Sequence, residues 1–232
     1  MADGDPVLLI TGASSGIGAA TARAAAGTHR LVLAARRTEA LEDLAGELGG
    51  PDRALAVRCD VTEWEEVEAM AAAALEAFGR IDAVFANAGF GAARGFLEET
   101  PEHWRSMVLT NVYGVALTIR ATLPHLLERG GGHFLITSSV AGRRALPGSL
   151  YSATKWAATA IGEALRAELR QEHENHGIRV TLIEPGMVDT PFFDQRPGDR
   201  ALRDEDIARA VLYALGQPAR VDVNEIDRKS VV

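Results

Sequence analysis

The sequence contains only one cysteine, Cys59, among its 232 residues. A lone cysteine cannot form a disulfide within the chain, and no second thiol or histidine motif lies beside it, so we interpret it as a small buried apolar residue. The six histidines do not have the spacing of metal ligands and include no HExxH pattern. We therefore expect no metal site.

Basic charge is also scarce. Lys and Arg number 24 against 32 Asp and Glu, which gives a net charge of −8 and disfavours binding to nucleic acid or an anionic membrane. The first residues, "MADGDPVLLITG", lack the basic segment of an export signal, and no apolar run approaches the roughly 20 residues of a membrane span. We expect a cytoplasmic protein with small-molecule partners, folded as a single domain over residues 1–232.

Short apolar, β-rich runs alternate along the chain with longer helical ones. The predicted strands are "VLLITG", "RLVLAAR", "ALAVRCDV", "IDAVFANAG", "HFLITSS", "IRVTLIEPG" and "VDVNEID". The predicted helices are "GIGAATARAAAG", "TEALEDLAGELG", "EEVEAMAAAALEAFG", "PEHWRSMVLTNVYGVALTIRATLPHLLE", with a break near Pro124, "SATKWAATAIGEALRAELRQEH" and "DIARAVLYAL". This alternation predicts an α/β fold: a three-layer, doubly wound parallel sheet of seven strands, the Rossmann fold.

A glycine-rich turn, "TGASSGIG", joins the first strand to the first helix. Gly12 permits a sharp turn, Gly16 lets the backbone approach a pyrophosphate, and Gly18 lets helix and strand pack closely. The helix N-terminus then presents free N–H groups and a positive dipole end to an anion. The position of this turn in the chain predicts a dinucleotide site.

A tyrosine and a lysine lie four residues apart in "YSATK" and thus on one helical face, Tyr151 and Lys155. A phenol has a reference pKa of about 10, and a neighbouring ammonium favours the phenolate and lowers that value. The pair is typical of a general acid/base. Upstream, "ITSS" places Ser138 and Ser139 at the carboxyl edge of the predicted sheet, where a serine can hydrogen-bond a substrate carbonyl.

Taken in order, the motifs resemble the short-chain dehydrogenase/reductase family over nearly the whole chain. They are the glycine-rich turn, "NAG" at 87–89, Asn111 in "LTNVYG", "SSVAG", "YSATK" and "EPGMVDTPF". The resemblance implies an NADP-dependent oxidoreductase that interconverts an alcohol and a ketone or aldehyde by hydride transfer. One departure is Ala86, which stands where the family usually has an asparagine before "NAG" and would remove one structural hydrogen bond from that turn.

Four catalytic residues follow from the resemblance. Tyr151 is expected to be the acid/base, with Lys155 lowering its pKa and holding the nicotinamide ribose, and Asn111 is expected to anchor a water that links Lys155 to solvent. For the serine, alignment to the "SSxAG" pattern favours Ser139, although the spacing to the tyrosine in many relatives would fit Ser138.

The cofactor preference is predicted from "LVLAARR", where the second strand ends. Enzymes that prefer NAD usually carry an acidic residue there to bind the ribose hydroxyls, whereas this chain has Ala35 followed by Arg36 and Arg37, with Arg36 our first choice as the partner of a 2′-phosphate. The predicted cofactor-binding residues are Gly12, Ser14, Ser15, Gly16, Ile17, Gly18, Arg36, Arg37, Asp60, Val61, Asn87, Ala88, Gly89, Tyr151, Lys155, Pro185, Gly186, Val188 and Thr190.

Substrate, assembly and rival functions are less constrained by the sequence. The predicted substrate-pocket lining is apolar and suggests an apolar or modest-sized substrate: Phe90, Gly91, Val140, Leu146, Met187, Phe192 and Phe193. The family resemblance implies a homotetramer joined through the two long helices around Asn111 and after Tyr151. The alternatives are a dinucleotide-sensing protein without turnover and an epimerase or dehydratase that holds NAD tightly.

Overall fold

A seven-stranded parallel sheet forms the centre of the structure, a computed structural model that describes residues 4–91, 95–147, 150–172, 177–192 and 197–231. In chain order its strands are β1 (Val7–Thr11), β2 (Arg30–Ala35), β3 (Ala54–Arg58), β4 (Ala83–Ala86), β5 (Gly132–Thr137), β6 (Ile178–Pro185) and β9 (Glu225–Arg228). They lie side by side in the order β3-β2-β1-β4-β5-β6-β9. Two short strands, β7 (Val188–Asp189) and β8 (Leu202–Arg203), form a separate parallel pair.

Helices cover both faces of the sheet, because the strands are apolar on both sides. The helices are α1 (Gly16–Ala25), α2 (Thr38–Glu47), α3 (Trp64–Phe78), α4 (Pro101–Val108), α5 (Gly114–Arg129), α6 (Tyr151–Gln171) and α7 (Asp204–Leu215). One core contains Leu9 with residues of α3, α5 and α6. The other contains the next residue, Ile10, with residues of α1, α2 and α7. This alternation along a strand confirms the predicted three-layer fold.

The strand order fixes where a ligand can bind. The chain winds outward from β1 in one direction through β2 and β3, and in the other through β4, β5, β6 and β9. A doubly wound sheet opens a crevice at the carboxyl ends of its strands where the winding reverses. The motifs of the sequence follow the ends of β1, β4, β5 and β6, and therefore meet at this edge.

The predicted helix break near Pro124 is wrong. α5 continues through Pro124 to Arg129, and the interruption lies earlier, in a π-helical turn at Leu109–Tyr113. Pro124 and Arg120 are both exposed, so water can satisfy the Arg120 carbonyl that has lost its partner. In the π turn the Gly114 N–H donates to the Leu109 carbonyl five residues back. Such a turn inserts one extra residue into a helix, often at a functional site.

No helix within the described residues combines the length and the hydropathy that crossing a membrane requires.

Two helical glycines provide a matched test of the packing. A methyl group on Gly162, in α6, would lie 2.6 Å from Leu182 Cδ2 of β6, whereas one on Gly46, in α2, would meet no atom within 4 Å. We expect Gly162→Ala to lower the free energy of unfolding by about 1 to 3 kcal/mol through overpacking. Gly46→Ala should raise it by about 0.5 to 1 kcal/mol because alanine loses less backbone entropy in a helix. Urea denaturation of both variants measures these changes, and a stabilised Gly162→Ala protein would contradict the close packing of α6 on β6.

Candidate active site

A cavity of about 730 Å³ opens at the carboxyl edge of the sheet. Most of the residues predicted from the sequence line it: Gly12, Ser14, Ser15, Gly16, Ile17, Arg36, Arg37, Asp60, Val61, Asn87, Ala88, Gly89, Ser139, Tyr151, Lys155, Pro185, Gly186, Val188 and Thr190. The two exceptions, Gly18 and Asn111, are buried behind its wall. The cavity therefore joins the glycine-rich turn to the tyrosine and lysine of α6.

The glycine-rich turn depends on residues without side chains. Gly12 and Gly16 have φ angles of +68° and +51°, in the left-handed region that favours glycine. A Cβ atom on Gly18 would lie 2.3 Å from the Gly12 carbonyl oxygen, so only glycine permits this approach of α1 to β1. The Ser15 side chain does not cap α1. The start of α1 thus faces the cavity as an anion site needs.

Asn87 ties three strand ends together. Its Nδ2 donates to the Thr11 carbonyl oxygen at 3.1 Å, and its Oδ1 accepts from the Thr137 hydroxyl at 3.1 Å. Its backbone N–H donates to the Thr11 hydroxyl at 3.0 Å. Sequence reasoning missed Thr11 and Thr137, although each ends a strand with a hydroxyl. These contacts hold the end of β4, where Ala86 stands in place of the asparagine expected from the family resemblance.

Asn111 occupies the π turn and is 1% exposed. Its Oδ1 accepts from the Phe90 N–H at 3.0 Å, while its Nδ2 donates to the Phe90 carbonyl at 2.9 Å and to the Thr154 hydroxyl at 3.1 Å. Both amide hydrogens are therefore used, and one lone pair of Oδ1 remains for the predicted water. The side chain joins the π turn to the segment after β4 and to α6.

The two adjacent serines face different surroundings. Ser139 Oγ donates to the Pro185 carbonyl oxygen at 3.3 Å, accepts the Ala141 N–H at 3.1 Å and lies near enough to the Tyr151 hydroxyl to lower the pKa of that phenol. Ser138 Oγ instead donates to the Lys155 carbonyl oxygen at 3.1 Å and lies 2.7 Å from the Thr159 hydroxyl. The geometry favours Ser139 as the serine that reaches a substrate, while Ser138 attaches the end of β5 to α6.

Tyr151 and Lys155 occupy the first turns of α6, and their side chains share the inner end of the cavity. The ammonium of Lys155 donates to the Thr137 carbonyl oxygen at 2.9 Å and lies 5.8 Å from the centre of the Tyr151 ring. Burial lowers the pKa of Lys155 to about 8. Burial also raises the pKa of Tyr151 to about 12, against the opposing effect of the neighbouring Ser139 hydroxyl. Lys155 is not among the groups that shift the phenol pKa, so the lowering that we expected from its ammonium is not seen.

The two arginines after β2 differ in how they are held. Arg37 donates to the carbonyl and hydroxyl oxygens of Ser14, with Nη2 at 3.0 Å from each. Arg36 is exposed and lines the cavity, and its guanidinium has no hydrogen bond or ion pair with the described residues. One guanidinium is therefore fixed beside the glycine-rich turn, and the other can turn toward a ligand.

Apolar residues form the outer wall beside Tyr151. The Phe192 ring meets the Tyr151 ring edge to face at 5.7 Å, and a Cβ atom on Gly91 would lie 2.6 Å from the Phe192 ring. Six of the seven residues predicted for this wall line the cavity: Phe90, Gly91, Val140, Leu146, Met187 and Phe192. The seventh, Phe193, lies outside the described residues.

Metal-binding side chains do not gather in the part of the chain that the structure describes: no three His, Cys, Asp or Glu residues are arranged to hold an ion. Cys59 is buried, and burial raises the pKa of its thiol to about 12. A thiol with this pKa stays protonated and is a poor nucleophile at neutral pH.

Removing the buried charge of Lys155 should stabilise the protein without ligand. A pKa of about 8 in the folded state means that burying the protonated lysine costs about 3 kcal/mol at pH 7. Lys155→Met removes this cost together with one hydrogen bond, so we expect the free energy of unfolding to rise by about 1 to 3 kcal/mol at pH 7.

The pH dependence distinguishes this cause from better packing. As the pH rises from about 8 toward the unfolded value, the folded protein releases the Lys155 proton first, the cost disappears and the advantage of Lys155→Met should shrink. Urea denaturation at pH 7 and pH 9.5 measures both effects. A destabilised variant at pH 7, or an advantage that does not change with pH, would show that the charge is not penalised by burial.

Comparison with known proteins agrees with this geometry. A family model described as short chain dehydrogenase matches residues 6–201. An uncharacterized oxidoreductase of Staphylococcus aureus (strain MW2) is 39% identical over 234 residues, which cover 98% of each chain.

Solved structures show the same similarity. An alcohol dehydrogenase from the archaeon Thermococcus sibiricus, complexed with 5-hydroxy-NADP, is 37% identical with a TM-score of 0.88 over 97% of both chains. A 3-ketoacyl-(acyl-carrier-protein) reductase from Brucella melitensis, complexed with NADH, is 34% identical with a TM-score of 0.84 over 96% of both chains. The chain belongs to the short-chain dehydrogenase/reductase family of oxidoreductases.

Proposed function

We propose that the protein is an NADP-dependent oxidoreductase that interconverts an alcohol and a ketone or aldehyde. The observation that carries the proposal is the convergence of Ser139, Tyr151 and Lys155 at one end of a cavity whose other end is the glycine-rich turn. One domain, residues 1–232, would hold both the dinucleotide and the substrate. Similarity to an alcohol dehydrogenase supports the reaction class.

The residues present fit a nicotinamide dinucleotide. The start of α1 and the backbone of the glycine-rich turn suit the pyrophosphate, while Asp60 and Val61 line the cavity on the adenine side. Pro185, Gly186 and Thr190 also line the cavity, and the family resemblance assigns them to the nicotinamide side. When bound, the nicotinamide ring supplies or accepts the hydride.

The protein's own groups would handle the carbonyl oxygen and its proton. Ser139 and Tyr151 line the cavity beside each other, so a substrate oxygen placed between them could accept from both hydroxyls. A phenol with a pKa of about 12 keeps its proton at neutral pH, which suits donation to the oxygen during reduction. Lys155, beside the Tyr151 ring and bonded to the Thr137 carbonyl, would stabilise the phenolate that remains.

The outer wall favours a substrate with apolar groups on the carbonyl carbon. Phe90, Val140, Leu146, Met187 and Phe192 surround the approach to Tyr151. Such a wall gains free energy by covering apolar surface and gives no partner to an ionic group.

The rival functions require different active-site features, and a turnover assay distinguishes them from the main proposal. A dinucleotide sensor would need the glycine-rich turn but not Ser139 and Tyr151 beside Lys155. An epimerase or dehydratase would retain its NAD through purification. Screening a panel of ketones and aldehydes while following NADPH absorbance at 340 nm tests the main proposal. Binding of NADPH without oxidation by any of these compounds would instead favour a sensor.

We also propose a cytoplasmic homotetramer joined through the helices around Asn111 and after Tyr151. Exposed apolar side chains on this face support it: Val108 is 37%, Tyr113 47% and Trp156 48% exposed. Apolar surface of this kind is typical of a face that another subunit covers.

Replacing Tyr151 with phenylalanine should abolish turnover while leaving the cavity intact. The substitution removes only the phenolic oxygen, so we expect kcat to fall by about 100-fold or more and the Kd for NADPH to change by less than about threefold. The control is Tyr213→Phe, because Tyr213 is exposed on α7, away from the cavity. Stopped-flow and fluorescence titration measure the two constants. Near-normal kcat in the Tyr151→Phe protein would refute Tyr151 as the proton donor.

The arginines after β2 should make NADPH the preferred cofactor. We expect kcat/KM for NADPH to exceed that for NADH by about 10- to 1000-fold, equivalent to about 1.4 to 4 kcal/mol from one or two charged hydrogen bonds. Arg36→Ala and Arg37→Ala should each reduce the value for NADPH and leave the value for NADH within about threefold, since NADH lacks the 2′-phosphate.

The two variants also rank the arginines. Arg36 remains our first choice for the direct contact, because the guanidinium of Arg37 is already hydrogen-bonded to Ser14. Equal kcat/KM values for the two cofactors in the unmodified protein would refute the preference. This result is possible in the family, because the similar structure from Brucella melitensis contains NADH.

A further inference from the structure

Ser139 has two competing uses for one hydroxyl. In the structure it donates to the Pro185 carbonyl oxygen at 3.3 Å, which attaches its segment to the end of β6. During the proposed reaction its hydrogen must point to the substrate oxygen, and a hydroxyl has only one hydrogen to donate. The bond to Pro185 is then lost; the backbone bond from the Ser138 N–H to the Ile183 carbonyl at 2.8 Å still holds the end of β5, but the segment after Ser139 needs a contact of its own.

Arg143 provides that second contact. Ser139 is followed by the 3₁₀ turn Val140–Gly142, and Arg143 is the next residue. Its Nε donates to Glu184 Oε1 at 2.6 Å, and Glu184 is the residue before Pro185. The pair Ser139–Pro185 and the pair Arg143–Glu184 therefore connect the same two segments at neighbouring points.

The same guanidinium reaches two further segments. Nη1 donates to Glu163 Oε1 of α6 at 3.1 Å, and Nη2 forms an ion pair with Glu225 of β9. Arg143 thus joins the segment of Ser139 to β6, to the helix that carries Tyr151 and Lys155, and to the last strand of the sheet. A planar guanidinium has enough fixed donors to hold several carboxylates at once.

Burial makes the Arg143–Glu184 contact the dominant one of the three. The Glu184 side chain is 3% exposed, while those of Glu163 and Glu225 are 49% and 43% exposed. Exposed ion pairs contribute little, whereas a buried carboxylate without its partner is strongly destabilising. Burial raises the pKa of Glu184, the bond to Arg143 opposes that rise, and Glu225 and Asp227 add to it.

We propose that Arg143 and Glu184 are positioning residues that hold Ser139 in line with Tyr151 while the Ser139 hydroxyl turns from Pro185 to the substrate. This inference rests on the proposed function, because it assigns the two residues a role in the same carbonyl chemistry. Neither residue lines the cavity or touches the reacting atoms.

A neutral replacement of the pair tests the proposal without leaving a buried charge unpaired. Arg143→Met/Glu184→Gln removes the cross-link and both charges together. We expect kcat for a ketone that the unmodified protein reduces to fall by about 10- to 100-fold, since small misplacements of a catalytic group have effects of this size. The Kd for NADPH should stay within about threefold. Arg144→Met is the matched control, because Arg144 is exposed and its side chain has no partner among the described residues.

A double-mutant cycle with Ser139→Ala separates positioning from general destabilisation. If the pair acts through the Ser139 hydroxyl, adding the two changes to the Ser139→Ala protein should cost less than about twofold in kcat, because the group they position is already absent. If the two changes lower kcat of the Ser139→Ala protein as strongly as they lower kcat of the unmodified protein, the proposal is overturned. Unmodified activity in the Arg143→Met/Glu184→Gln protein would overturn it as well.

A structural readout keeps this test independent of the proposed reaction. Crystal structures of the unmodified and Arg143→Met/Glu184→Gln proteins should show Ser139 Oγ displaced relative to the Tyr151 hydroxyl by about 0.5 Å or more, the tolerance of a catalytic constellation. An undisplaced Ser139 would refute the positioning role. Absence of ketone reduction by the unmodified protein would contradict the proposed function, whereas the crystallographic comparison would still decide this inference.

Discussion

The buried ammonium of Lys155 is the constraint on which the arrangement of the site depends. Lys155 is 4% exposed, and no ion pair with the described residues compensates its charge. Its ammonium donates to the Thr137 carbonyl at the end of β5, and Lys155 Nζ and Asn111 Oδ1 both lie beside Gly89. A charge held by dipoles rather than by a carboxylate is costly to fold, but it stays available to a ligand or to a phenolate.

Holding such a charge requires strand ends that do not move, and small polar groups supply that rigidity. Asn87 links the ends of β1 and β5, and Asn111 links the segment after β4 to α6. Ser138 bonds the carbonyl of Lys155 itself. Each of these groups is buried or partly buried, so it bonds to protein atoms, and few water molecules compete for those hydrogen bonds. The result is a site built on the rigid edge of a sheet, with its outer wall formed by loop residues such as Phe192.

The sequence was sufficient to predict the seven strands, the layers and the positions of the motifs, because apolar periodicity and family spacing are local properties. It could not reveal the π turn at Leu109–Tyr113, since proline marked another point and the turn forms only where Asn111 meets Phe90 and Thr154. It also could not choose firmly between Ser138 and Ser139, because a difference of one residue decides which hydroxyl faces Tyr151. The roles of Thr11, Thr137 and Arg143 depend on partners distant in the sequence, such as Asn87 for the two threonines and Glu184 for Arg143, and become visible only in three dimensions.

The pKa shifts of Tyr151 and Lys155 show how this site differs from the isolated helix pair that the sequence suggests. On an exposed helix the ammonium would lower the pKa of the phenol, but burial disfavours both charged forms, raising the pKa of Tyr151 and lowering that of Lys155. Each residue is therefore driven toward its neutral state before a ligand binds. Because the phenolate and the ammonium would stabilise each other once formed, the cost of either charge is lowest when both are present. In the proposed reaction, proton transfer from Tyr151 would thus be coupled to the charge of Lys155, and a movement of α6 relative to Thr137 would alter both at once.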